Sequence, residues 1–268
     1  MRYSNITNKL LLFSFICLLK SLDVYAGKKK LKDGVKVDFE QIFQRWHQPS
    51  LDVQIRYEYL SSTDTIETDC SYMYRGKSLY MKTDQYEQLS DDSLVILIDH
   101  DLKQVSIERA VASDTVSRTG LLSSYSKQLA GDLKQYSQEV SESGNQTIYI
   151  FSSKDYAYAK QIPREQVFYH YNKDRSEITL VEYMKNTVLK VDTKIHPEAA
   201  DTAHPGYRIL SKEGDWVWLH IEERQRLVYS YRESVTGALP LSRALVLKSG
   251  ENGPELTERF KDYVLISN

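Results

Sequence analysis

Hydrophobic positions change period along this chain, and the changes mark its elements. Val35, Phe39, Ile42, Phe43 and Trp46 recur at helical spacing behind Lys28, Lys29, Lys30 and Lys32 and ahead of Pro49. That spacing predicts an amphipathic N-terminal helix stopped by proline. From Leu51 the period drops to two: Leu51, Val53, Ile55, Tyr57 and Tyr59 alternate with Asp52, Gln54, Arg56 and Glu58, as in a strand with one wet face. Ile66, Cys70, Tyr72 and Tyr74, then Leu79 and Met81, then residues 94–98, then Val105 and Ile107 continue the pattern. Five consecutive strands with short connections predict an antiparallel meander. Leu121, Leu122, Tyr125, Leu129, Leu133, Tyr136 and Val140 restore the helical period and predict a middle helix, weakened at Gly131. Strands are predicted again at 147–151, 167–171, 178–184 and 188–191. Residues 196–206, with two prolines and no period, form a linker or long loop. Further strands are expected at 216–221, 227–231, 242–247 and 260–266.

Residues 167–183 and 227–245 each run aromatic strand, polar turn, apolar strand, a weak internal repeat of one hairpin-like unit. The aromatic residues within the strands come in pairs: Tyr57 and Tyr59, Tyr72 and Tyr74, Tyr156 and Tyr158, Tyr169 and Tyr171, Trp216 and Trp218, Tyr229 and Tyr231. Spacing i, i+2 places each pair on one face of its strand. Six pairs on neighbouring strands would line one side of a sheet, either as packing against helices or as the wall of an apolar pocket.

The first 26 residues alter the picture of where the chain works. Arg2 and Lys9 precede the apolar run at 10–19, and Val24-Tyr25-Ala26 offers small residues before Gly27, the layout of a cleaved signal peptide. Ten apolar residues rise about 15 Å, half of a bilayer core, so a spanning anchor is not expected after cleavage. Phe15 and Ile16 before Cys17 are too large for a lipidation signal. Cleavage leaves Cys70 as the one cysteine, which excludes an internal disulfide and predicts a small buried hydrophobe.

The composition is that of an ordinary globular chain, 41% hydrophobic and 27% charged, with 20 tyrosines against 11 glycines and 6 prolines. A formal charge of −2 without basic clusters on aromatic strands excludes a nucleic-acid footprint. Neither H-E-x-x-H, G-x-S-x-G, C-x-x-C, a phosphate loop nor G-x-G-x-x-G occurs. The six histidines are scattered and Asp99-His100-Asp101 reads as a polar turn, so no metal, cofactor or catalytic set is expected.

The order of these segments resembles the outer-membrane lipoprotein carrier (LolA-like) family. Residues 80–108 are similar to the family's strand and polar-turn pattern, with Asp91-Asp92 at the turn and Gln104-Val105 opening the next strand. Val235-Thr236-Gly237-Ala238-Leu239-Pro240-Leu241 is similar to its C-terminal turn, and residues 258–267 to its closing strand. Asp92 stands where the family has a turn glycine, and the basic residue and proline that longer members carry after the position of Lys82 are absent. No lipoprotein-handling residue is therefore carried over.

The resemblance implies a mainly β, α+β fold: an antiparallel half-barrel sheet with the N-terminal amphipathic helix and the middle helix packed on its concave face. The expected organisation is a signal peptide at 1–26, the half-barrel at 27–195, a linker or long loop at 196–206, and C-terminal antiparallel strands at 207–268 that continue or extend the sheet. The expected function is that of a periplasmic, non-catalytic binding protein that holds a lipid, a lipidated protein or another hydrophobic ligand between sheet and helices. Tyr57, Tyr59, Tyr72, Tyr74, Tyr169, Tyr171, Trp216 and Trp218 are the candidate ligand contacts. The alternative is a structural or adaptor subunit of a bacterial cell-envelope assembly that uses the same fold without a ligand and contacts envelope protein partners.

Overall fold

The computed structural model describes residues 44–61, 64–109, 135–202, 206–232, 237–251 and 253–267. Most of the expected N-terminal helix, the signal segment and residues 121–134 of the expected middle helix lie outside the described residues. The strands are β1 (Ser50–Leu60), β2 (Thr65–Arg75), β3 (Ser78–Lys82), β4 (Tyr86–Ser90), β5 (Leu94–Asp99) and β6 (Gln104–Arg109), followed by β7 (Tyr136–Ser143) and β8 (Gln146–Ser153). Next come β9 (Tyr156–Tyr158), β10 (Ile162–Pro163), β11 (Glu165–Asn172), β12 (Glu177–Asp192), β13 (Arg208–Glu213) and β14 (Trp216–Tyr231). A helical turn α1 (Arg243–Val246) precedes β15 (Leu247–Gly250), β16 (Gly253–Leu256) and β17 (Val264–Ser267).

Thirteen of these strands form one large, open sheet in the order β17-β6-β5-β4-β3-β2-β1-β14-β12-β11-β8-β7, with β13 beside β14. The registered pairs are antiparallel except β17 with β6, which is parallel. The chain divides into two compact units that do not follow chain order: one holds residues 57–67 and 122–228, the other 44–56, 68–121 and 229–268. They are called here the long-strand unit and the meander unit.

In the meander unit, alternation on β5 drives Leu94, Ile96 and Ile98 into a core shared with Val105, Tyr80 and Leu89. The C-terminal segment covers this core with Leu241, Val246, Leu247 and Phe260. Asp91 shapes the β4–β5 turn, where its Oδ1 accepts from the backbone N–H of Ser93 at 2.7 Å and of Leu94 at 3.0 Å. Burial favours the neutral Asp91 carboxyl, yet these bonds outweigh it and hold its pKa below the ordinary value. Asp92, at the family's glycine position, points outward to the Lys77 ammonium, 2.6 Å away. At the β2–β3 turn Gly76 has φ +59°, where a side chain would be strained.

Trp46, the one described residue of the expected N-terminal apolar face, sits in a short 3₁₀ turn, Gln44–His47, and is buried. Its ring lies 5.4 Å from Tyr72 and 6.0 Å from Tyr229, and its Nε1–H donates to Tyr231 Oη at 3.0 Å. Cys70 is buried, as expected, and burial pushes its thiol up to about 12.

The long-strand unit corrects several expectations. Tyr136 and Val140 belong to β7, not to a helix. Spacing i, i+4 fits one face of a strand as well as one face of a helix, and the β8 partner decides. The expected strand pairs at 178–184 with 188–191, and at 216–221 with 227–231, are the single sixteen-residue strands β12 and β14. Their polar middles do not end them because polar side chains there meet partners on neighbouring strands. Asn186 is buried, its Nδ2 donates to Pro163 O at 2.8 Å, and its Oδ1 accepts from His220 Nε2 at 2.8 Å. Arg226 bonds Glu58 at 2.8 Å and lies 3.3 Å from Glu182, which also faces Arg224.

The repeat is not structural. Residues 167–183 belong to the β11–β12 hairpin, whereas 227–245 leaves β14 and ends in α1. The expected strand at 242–247 is likewise mostly this helical turn. Within 196–206, Pro197–Ala200 forms a 3₁₀ turn that seats Ala199 against Val217 and Leu219.

Candidate functional site

The long-strand unit brings the candidate aromatic residues to two opposite faces. The registers Tyr171↔Thr147, Val167↔Phe151 and Tyr169↔Val181 place Tyr169, Tyr171, Phe151, Thr147 and Val181 on one face, and all but Val167 are buried there. Phe151 and Tyr169 meet edge to face, centroids 5.8 Å apart. Val181↔Leu227 adds buried Leu227 to the same face.

Trp216 and Trp218 point the other way, because Lys190↔Trp218 and Asp192↔Trp216 have the opposite parity. Trp216 is exposed, and the Lys190 ammonium lies 5.3 Å from its ring and 5.2 Å from that of Trp218. Tyr158 stands beside Trp218, 5.4 Å between centroids. Tyr57 is buried in β1, where burial and then Tyr59 push its hydroxyl up to about 12; Tyr59 is half-buried. Tyr72 and Tyr74 are half-buried in the meander unit, Tyr72 against Trp46.

Two hydroxyls lie buried on the first face. Tyr171 and Thr147 are each 2% exposed, and Tyr171 Oη and Thr147 Oγ1 have no hydrogen-bond partner among the described residues. A buried polar atom left unpaired costs about 1–3 kcal/mol. An apolar ligand carrying an acceptor oxygen, such as an ester or carboxyl carbonyl, would pair with these donors while its chain lay against Phe151, Tyr169, Val181 and Leu227.

The strongest polar constellation escaped sequence reading. Glu87, 2% exposed on β4, accepts from Tyr80 Oη at 3.0 Å through Oε2. Its Oε1 lies 3.2 Å from Lys82 Nζ, 3.2 Å from His100 Nε2 and 3.9 Å from Arg259 Nη2. Nε2–H donating to Glu87 leaves Nδ1 of neutral His100 to accept from Tyr263 Oη, 2.8 Å away. Burial raises the Glu87 pKa, but the bonds from Lys82 and Tyr80 and the charge of Lys82 outweigh it and hold the carboxyl below its ordinary value. The signal available in the sequence was a glutamate between Tyr86 and Leu89 in YEQLS, a stretch with broken alternation. Among the described residues, no group of three His, Cys, Asp or Glu side chains is arranged to hold a metal ion, and no helix is long and apolar enough to cross a membrane.

No family model matches the chain, and no curated protein matches it. Among solved structures, it is similar to a DUF1329 family protein from Desulfovibrio piger, at 12% identity and a TM-score of 0.27 over 73% of this chain and 90% of that one. It is similar to a LolA superfamily protein from Nitrosomonas europaea, at 8% identity and a TM-score of 0.24 over 73% of this chain and 92% of that one. A third is a domain from Vibrio parahaemolyticus described as outer membrane lipoprotein-sorting, at 9% identity and a TM-score of 0.23 over 71% and 86%.

Proposed function

We propose that this chain is a non-catalytic binding protein of the bacterial periplasm, exported through residues 1–26, that holds an acyl chain or an acylated protein on the aromatic face of the long-strand unit. The observation that carries the reading is the pair of buried hydroxyls, Tyr171 Oη and Thr147 Oγ1, without partners among the described residues. They supply donors for a carbonyl in an otherwise apolar setting, which matches an acyl ester. Burying a dozen methylenes would contribute roughly 10 kcal/mol before ordering costs, enough for a ligand to persist through gentle purification.

Native mass spectrometry of gently purified full chain should therefore find co-purified lipid. Tyr171→Phe removes one unpaired hydroxyl and keeps the ring, so lipid occupancy should fall several-fold with no loss of thermal stability. A lipid-free protein that takes up no fluorescent fatty-acid analogue overturns the reading. Intact mass after expression with the signal should correspond to a chain beginning at Gly27.

The adaptor alternative draws support from β17, an outermost strand of the sheet that exposes Val264 and Ile266. An envelope protein that pairs with this edge would be captured equally by lipid-free and lipid-loaded chain.

A further inference from the structure

We infer that the meander unit carries a second site, independent of the acyl-binding face, which docks a phosphate group on Lys82 and Arg259 above the buried carboxylate of Glu87. The argument starts from an imbalance. One carboxylate oxygen, Glu87 Oε1, has a lysine ammonium, an arginine guanidinium and an imidazole within 3.9 Å. Glu87 neutralises one of the two full positive charges and leaves the other uncompensated within this group.

The two cations differ from their anchor in exposure. The Glu87 side chain is 3% exposed, whereas those of Lys82 and Arg259 are both 49% exposed. Half of each side chain meets solvent, while from below Lys82 is hydrogen-bonded to the common oxygen and Arg259 lies 3.9 Å from it. Arg259 is held further by Phe260, whose ring lies 5.2 Å from its Cζ, and Phe260 is part of the core. A guanidinium and an ammonium tethered side by side form a donor pair suited to the oxygens of a tetrahedral oxyanion, Arg through paired N–H groups and Lys as a point charge. The Tyr263 hydroxyl is committed to His100 at 2.8 Å and serves to orient the imidazole rather than to bind.

The phosphate can belong to a soluble phosphoester or to a phospholipid headgroup, and two experiments separate these sources. Inorganic phosphate titrated at constant ionic strength into ¹⁵N-labelled full chain should give saturable shifts at the amides of Lys82, His100 and Arg259, with chloride as the control. Lys82→Gln with Arg259→Gln should weaken that response by about fivefold or more, while each single variant gives an intermediate loss. The double variant strips the nearly buried Glu87 of both full cations and should melt lower, so an amide spectrum that matches the wild type away from the site verifies that it is folded. Co-sedimentation with phosphatidylglycerol vesicles, lost in the double variant, assigns a lipid headgroup; a response to free phosphate alone assigns a soluble phosphoester. If the wild type shows no saturable response to either, or if the folded double variant responds as the wild type does, the three side chains serve only to hold Glu87 and the inference is overturned. Because the readouts concern Lys82 and Arg259, this result stands apart from lipid occupancy at Tyr171.

Discussion

Two buried polar sites, one in each unit, are treated in opposite ways. In the meander unit the most deeply buried charge, Glu87, has Tyr80, Lys82, His100 and Arg259 around its two oxygens. In the long-strand unit Tyr171 Oη and Thr147 Oγ1 are as deeply buried and lack partners among the described residues. A satisfied network holds a unit in one arrangement, whereas unsatisfied donors are a cost that some other molecule must offset. The contrast teaches that burial alone does not mark a site; burial without a partner does.

The largest effect should come from the meander unit's aromatic cluster. Trp46→Ala removes a buried ring in contact with Tyr72 and Tyr229, together with the bond to Tyr231. Chemical denaturation should register a loss of about 3–5 kcal/mol. A loss below about 1 kcal/mol would mean that the turn carrying Trp46 detaches at little cost.

Glu87→Gln comes next, at about 2 kcal/mol, because Tyr80 keeps an acceptor while half-exposed Lys82 and Arg259 can turn to water. Its pH dependence sharpens the comparison. The folded Glu87 pKa lies below its ordinary value, so its stabilisation is complete above the usual glutamate range near pH 4.5 and disappears as pH falls through the lowered folded value. Melting temperature plotted from pH 6 to pH 2.5 should therefore fall more steeply for wild type than for Glu87→Gln. Parallel curves would show that Glu87 titrates normally and that its network is ornamental.

The smallest stability effect belongs to the long-strand unit. Tyr171→Phe and Thr147→Val each delete a hydroxyl without a partner among the described residues, and the ligand-free chain should gain about 1 kcal/mol of stability. A destabilisation above that would show that the hydroxyls are paired within the protein, and the contrast between the units would collapse.

How much of this was legible depended on where polar residues fell. Strand β1 was read almost to its ends because Leu51, Val53, Ile55 and Tyr57 are buried while Gln54, Arg56 and Glu58 are not. Strand β4 was missed because Tyr86 and Glu87, neighbours on opposite faces, are both buried, so no alternation remained to detect. Polar residues also hid the length of β12 and β14: Asn186, Glu222, Arg224 and Arg226 look like turn material until their partners on adjacent strands are known.

Among the candidate site residues, pairing at i, i+2 correctly implied a shared face within each strand. It did not reveal that Trp216 and Trp218 oppose Tyr169 and Tyr171, since parity between strands depends on register. His100 was read as part of a polar turn; its partners Glu87 and Tyr263 are remote in sequence and are brought to it by the pairings β4–β5 and β17–β6.

The one parallel pairing, β17 on β6, has a kinetic consequence. A hairpin meander closes each strand onto the one just made, so β3 to β6 assemble through short loops. The core beneath them nevertheless takes Leu241, Val246, Leu247 and Phe260 from far along the chain, and β17 can align with β6 only after those residues have been synthesised. Completion of this unit therefore waits until residues 241–267 have been made, and until then Leu94, Ile96 and Ile98 lack part of their cover. Export through residues 1–26, as proposed above, would draw on that delay: a polypeptide that has not finished its fold remains threadable.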